Sequence, residues 1–168
     1  SKMGRFLSHK FDALTPYTPG EQPKILNLIK LNTNESPYPP SPSVIKAINC
    51  DEVSDLRLYS DPESAELKKA IASVYGVESK NVFVSNGSDE ILNFAFMAYC
   101  DENTPAVFPN ITYGFYSVFA DLYGIDARVI PLDRDFSIVP DDYIGLECGA
   151  VIANPNAPTG LTLTLSEI

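Results

Sequence analysis

From residue 81 onward the chain alternates short, mostly unbroken apolar runs with helical patterns. The runs are Asn81–Ser85 (NVFVS), Pro105–Pro109 (PAVFP), Ala127–Leu132 and Ala150–Ala153. Between them the spacing predicts helices over Ser88–Cys100 and Tyr113–Tyr123 and one helical turn over Pro140–Ile144. A strand with one wet face alternates apolar and polar residues, whereas a run apolar along its length calls for cover on both faces. Alternation of such strands with helices predicts an α/β architecture built on a mainly parallel sheet flanked by helices.

The first 42 residues read differently. A short helix over 4–12 is followed by the turn cluster Thr15-Pro16-Tyr17-Thr18-Pro19-Gly20, a weakly alternating stretch Lys24–Leu31 expected as a strand, and then LNTNESPYPPSP (31–42), with four prolines between Pro37 and Pro42. Proline fixes φ and removes an amide donor, so this segment is expected as a stiff, extended arm. The arm (1–42) is thus separated from an α/β part (43–168). That part opens with a short helix over Ser43–Asn49 and a stronger one at Asp61-Pro62-Glu63. Asp61 can cap this helix, and Leu67, Ala70, Ile71, Val74 and Tyr75 fall on one face before Gly76 ends it.

Charge and composition exclude several classes. The chain carries 12 basic and 22 acidic residues, a net charge of −10, all of it in 81–168, where Arg128 and Arg134 are the only basic residues. That balance argues against a nucleic-acid partner or an anionic membrane surface. No run of about 18 apolar residues is present, and SKMGRFLSHKF lacks the apolar core of a signal peptide, so the expected location is cytoplasmic. Cys50, Cys100 and Cys148 form no CxxC pair and read as free thiols. With His9 as the only histidine, neither a Ser-His-Asp triad nor a His-rich metal site is expected.

In open parallel sheets ligands sit beyond the carboxyl ends of the strands. Three turns are expected there: Ser85-Asn86-Gly87-Ser88-Asp89-Glu90, Pro109-Asn110-Ile111-Thr112-Tyr113-Gly114 and Asn154-Pro155-Asn156-Ala157-Pro158-Thr159-Gly160. In the first, Gly87 permits a tight turn, and the amides of Gly87, Ser88 and Asp89 would converge at the positive end of a helix. This is either a phosphate cradle or an ordinary helix start capped by Ser88. Tyr113 at the mouth of the sheet either stacks on a planar ligand or packs. The third turn holds two asparagines stiffly between prolines.

Taken in order, LNTNESPYPPSP, RLYSDP, VSNGSDE, PNITYGFYS and NPNAPTG resemble the pyridoxal-phosphate (PLP) aminotransferases of fold type I, and within them the histidinol-phosphate aminotransferases. The resemblance runs from TPYTPGEQ (15–22) to APTG (157–160). It implies an N-terminal arm plus most of the first half of a PLP-binding large domain, and a homodimer with active sites at the subunit boundary. It implies amino transfer between a phosphorylated amino substrate, L-histidinol phosphate, and 2-oxoglutarate in histidine biosynthesis. By position, Gly87, Ser88 and Asp89 would offer amides to the cofactor phosphate and Tyr113 would stack on its ring. Tyr59 would reach the phosphate of the neighbouring subunit's cofactor, and Tyr17 would lie over the substrate. Asn32, Asn34 and Glu35 match the arm motif, with a structural role.

The sequence departs from the pattern at Ala157, where many relatives carry the asparagine that bonds the ring hydroxyl. Asn156 or a water takes that place, or the bond is absent. No lysine stands in a Ser-Lys motif followed by Gly and Arg, so the Schiff-base lysine is expected downstream and no catalytic residue is assigned in this chain. A threonine-phosphate decarboxylase-like enzyme satisfies the same motifs. A non-catalytic fragment that binds a phosphate compound or dimerises also satisfies the 168 residues taken alone.

Overall fold

The computed structural model describes residues 8–11, 24, 25, 27–48 and 51–168. The chain divides into two compact units, one formed by 18–84 and the other by 85–168 together with 1–17.

In the 85–168 unit the sheet is built on β1 (Ala106–Pro109), with β2 (Ala127–Ile130) on one side and β3 (Gly149–Ala150) on the other, both parallel to it. The register pairs Ala106 with Ala127 and Gly149, and Val107 with Arg128 and Ala150. Every residue of β1 is buried, as its unbroken apolar run requires, whereas Ala127, Arg128 and Val129 of β2 are exposed. The parallel pairing is thus as expected, but two-sided cover reaches only the central strand.

Proline chemistry sets the length of β3. The amides of Ala106 and Asn110 donate toward β2, to Asp126 O (3.0 Å) and Ile130 O (2.8 Å). Alternation therefore turns Val107 and residue 109 toward β3. Residue 109 is proline and has no proton to give, so the ladder on that side stops after Val151 N–H donates to Val107 O (2.8 Å). The strand expected over 150–153 is reduced to Gly149–Ala150, and 151–153 run on without a strand partner among the described residues.

Two helices cover β1. Helix α4 (Ser88–Tyr99) and α5 (Phe115–Tyr123) meet through an aromatic cluster. Phe96 lies 6.0 Å from Tyr116 and 5.6 Å from Phe119 between ring centres, and Phe108 of β1 lies 5.7 Å from Tyr116. Tyr116, Phe119 and Ala120, spaced i, i+3 and i+4, form the buried stripe of α5. A polar tie reinforces the contact: Tyr123 Oη donates to Asn93 Oδ1 at 2.7 Å. Gly124 ends α5 with φ 65°, a left-handed cap that an L side chain would strain. The helical turn expected at 140–144 is a 3-10 turn over Pro140–Tyr143. Burial, with Asp142 nearby, pushes the Tyr143 phenol up to about 12.

In the other unit the helices are α1 (Pro42–Ile48), α2 (Asp51–Asp55) and α3 (Ala65–Tyr75). Sequence reading missed α2, and it placed the start of α3 at Asp61. Asp61 instead forms the turn that precedes α3, accepting from Ala65 N (2.7 Å) and Glu63 N (3.0 Å), and these amides hold its carboxyl below the usual range. The expected apolar face of α3 is not a buried one: Ala72 alone is buried, and Val74 and Tyr75 are largely exposed. Periodicity records a stripe, but burial needs a covering element. The buried strand expected over Asn81–Ser85 does not form: Asn81 ends a 3-10 turn (Ser79–Asn81) and 82–85 follow without strand pairing among the described residues. Lys24–Leu31 likewise forms no strand among its described residues. The helix expected over 4–12 shows only the turn His9–Phe11, with Ser8 before it outside any helix and 4–7 and 12 outside the described residues.

The aromatic cluster yields a stability prediction. Phe96 is 1% exposed, so Phe96→Ala is expected to cost about 3–5 kcal/mol through lost burial and the cavity left behind. Urea unfolding of the variant protein measures it, and a loss below about 1 kcal/mol would contradict the cluster's role.

Candidate functional site

Parallel strands end on the same side, so the turns after β1 and β3 are brought together by topology. The contact is specific. Asn156, 2% exposed, donates from Nδ2 to Ile111 O (2.9 Å) and accepts at Oδ1 from Thr112 Oγ1 (2.8 Å). Its backbone closes its own loop: Asn156 N–H donates to Leu161 O (2.8 Å), and Gly160 N–H donates to Asn156 O (2.7 Å). Asn154 does similar work further out, pairing with Leu163 N (2.9 Å) and Leu163 O (3.1 Å). Asn156 is therefore a buried brace between two turns, and Ala157 beside it is half-buried.

The remaining turn joins through Tyr113. Its phenol donates to Asp89 Oδ1 at 2.7 Å, bridging 24 residues of sequence. Its ring stacks on Phe115 (5.7 Å, 26° between planes) and meets the edge of Tyr116 (5.8 Å, 78°). All three turns named from the sequence thus meet at one end of the sheet.

The start of α4 has the geometry expected of a helix that presents its amides. Gly87, with φ 81° and ψ 171°, precedes Ser88, and no side chain caps the helix, so Ser88 does not serve as the cap. The Gly87 amide turns back to Ser85 O (3.1 Å), leaving those of Ser88 and Asp89 to open the helix. The two acids of the first turn are engaged. Glu90 Oε2 accepts from Asn86 N (2.8 Å), and Asp89 holds Tyr113. Their charge is thus drawn to specific donors at the end of the helix that favours anions.

The other expected site residues are placed as follows. Tyr59, in the 18–84 unit, is fully exposed. Tyr17 lies outside the described residues. In the arm, Lys30 Nζ lies 2.7 Å from Glu35 Oε1 and donates to Thr33 Oγ1 (2.7 Å), and the Lys30 ammonium lowers the Glu35 carboxyl. Sequence reading missed Thr112 as a participant. The signal was present only as a hydroxyl beside Tyr113, and its partner Asn156 stands 44 residues away.

The brace is testable apart from any ligand. Asn156→Ala should destabilise the protein by about 1–3 kcal/mol, because the Ile111 carbonyl and Thr112 hydroxyl lose their partner in a poorly hydrated place. Asn156→Asp should cost at least as much, since a carboxylate would face the Ile111 carbonyl oxygen. Thermal or urea unfolding of the two variants checks the order.

Comparison with known proteins extends the picture. Residues 27–168 match the family model of aminotransferase class I and II. The chain is 55% identical over 166 residues to the histidinol-phosphate aminotransferase of Brachyspira hyodysenteriae and 54% identical over 166 residues to histidinol-phosphate aminotransferase 1 of Hydrogenovibrio crunogenus. Each alignment covers 99% of this chain and 47% of the relative, so the chain spans about half the length of the curated relatives it matches. Among solved structures, it aligns with histidinol-phosphate aminotransferase from Sinorhizobium meliloti in complex with pyridoxal-5'-phosphate at a TM-score of 0.66 and 27% identity, over 75% of this chain and 35% of that one. It shares its fold with tyrosine aminotransferase from Leishmania infantum at a TM-score of 0.62 and 18% identity, over 75% of this chain and 40% of that one. A parallel sheet whose three loops converge at its carboxyl end, in a sequence matched over 27–168, has one family assignment: the chain belongs to the aminotransferases of class I and II.

Proposed function

We propose that this chain is the N-terminal part of a PLP-dependent histidinol-phosphate aminotransferase, with 1–42 as arm and 43–168 as part of the PLP-binding large domain. The protein would act in the cytoplasm as a homodimer with active sites at the subunit boundary. It would exchange an amino group between L-histidinol phosphate and 2-oxoglutarate. The observation that carries the reading is the convergence of the three turns through the Tyr113–Asp89 and Asn156–Thr112 hydrogen bonds. The names of the relatives support the substrate.

The residues present fit a phosphate joined to a planar ring. The amides of Ser88 and Asp89 open α4 without a side-chain cap, so a phosphate there would meet first-turn amides and the positive end of the helix dipole. Gly87 contributes chiefly the turn, because its amide is bonded to Ser85. Tyr113 offers a half-buried flat ring held at its phenol end. Asn156 spends both ends of its amide on the protein, so its support for a cofactor is that of a brace. When bound, PLP supplies a carbonyl that captures the substrate amine and a ring that takes up the released electron pair. The chain's own residues bind the phosphate, orient the ring and fix the loops around it. No lysine stands in 81–168, so the reading assigns no Schiff-base lysine within the segment that carries the turns.

The direct test is glutamate formation from L-histidinol phosphate and 2-oxoglutarate by the whole protein that carries this chain. Glutamate dependent on both substrates and on PLP is expected, and its absence overturns the reading. Tyr59→Phe in that protein should weaken PLP by about 1 kcal/mol, roughly fivefold, through one lost hydrogen bond to the neighbouring subunit's cofactor phosphate. Equilibrium dialysis of PLP measures it, and unchanged affinity would remove Tyr59 from the site.

A further inference from the structure

The carboxylate at the mouth of α4 has a use that the amide cradle does not explain. Asp89 sits in the first turn of α4, whose amides have no side-chain cap from Gly87, while its side chain accepts the Tyr113 phenol proton at 2.7 Å. Tyr113 is fixed at three points. Its phenol is bound to Asp89, its ring is packed on Phe115 and Tyr116, and the two residues before it are tied to the buried Asn156, Ile111 by its carbonyl and Thr112 by its hydroxyl. Of these, the aromatic contacts limit where the ring lies, and the Asn156 brace limits where its backbone lies. The Asp89 bond ties the far edge of the ring to the first turn of α4. Phenols rotate about their long axis at little cost, and a bond at the para oxygen pins the direction of that axis.

We propose that Asp89 is a positioning residue: its carboxylate, through Tyr113 Oη, sets the orientation of the Tyr113 ring relative to the start of α4. One residue then serves both ends of a phosphate-bearing planar ligand, its amide at the phosphate and its carboxylate through Tyr113 at the ring. The hydrogen bond also directs the Asp89 charge toward the phenol, which offsets the repulsion a free carboxylate would exert on a bound phosphate. This inference rests on the PLP reading given above.

The test uses Asp89→Ala, Asp89→Asn, Tyr113→Phe and the Asp89→Ala/Tyr113→Phe pair in the whole protein. Asparagine retains a carbonyl acceptor in the same place and alanine does not. Two readouts are taken: the unfolding midpoint without cofactor, and the visible circular dichroism and dissociation constant of bound PLP. Asp89→Ala and Tyr113→Phe should each weaken PLP by about fivefold, the worth of one hydrogen bond, and change the sign or size of the visible dichroism. The double variant should be no worse than the poorer single one, since both remove the same bond. Asp89→Asn should restore the dichroism of the unsubstituted protein. A purely structural acid at a helix end would shift the unfolding midpoint while leaving the dichroism unchanged, and that result overturns the proposal. Multiplicative losses in the double variant, or no rescue by asparagine, overturn it equally. If the unsubstituted protein takes up no PLP, the PLP reading falls and this inference with it. Normal PLP uptake with an indifferent Asp89→Ala removes this inference alone.

Discussion

The parallel pairing of β1 with strands on both sides is the constraint on which the rest of the 85–168 unit depends. A parallel neighbour cannot be reached by a tight turn, so each connection must cross back over the sheet. Helix α5 lies in the crossover from β1 to β2, and the 3-10 turn at Pro140–Tyr143 lies in the connection from β2 to β3. The same geometry sends the turns after β1 and β3 out on one side. Burial of the whole of β1 holds this arrangement together, because the aromatic cluster of Phe96, Tyr116 and Phe119 packs with Ala106 and Phe108 of that strand.

On that frame the polar contacts at the sheet's end are few and directional. Asn156 satisfies a carbonyl and a hydroxyl of one turn while its backbone closes another. A buried amide that meets its partners only in one arrangement specifies that arrangement, since a shifted loop would leave donors and acceptors unmet. The Tyr113–Asp89 bond extends the specification to the start of α4. The site is thus a junction of loops held by side chains whose partners lie 24 to 45 residues away.

Much of this was legible in the sequence. The unbroken apolar runs predicted a parallel sheet, and Gly87, Tyr113 and Asn156 stood out as turn residues with unusual chemistry. Other parts were not legible. Helix α2 is a five-residue segment too short for periodicity to show. The stripe on α3 predicted a buried face, yet Val74 and Tyr75 are largely exposed, because a stripe announces a demand for cover without naming what provides it. The length of β3 followed from Pro109, which lies on a different strand, so no local reading of 150–153 could anticipate it.

The sequence by itself determined the class of fold, the order of the elements from Ser88 to Ala150 and the family, because apolar period, glycine and proline act locally and leave their mark at fixed spacings. It also named the three turns. Only the tertiary structure decided what those turns do to one another. That Asn156 braces Ile111 and Thr112, and that Asp89 faces Tyr113, depends on which strands lie side by side and in what register. A hydrogen bond is made at about 2.7–3.2 Å, and that separation is set by packing across the whole unit.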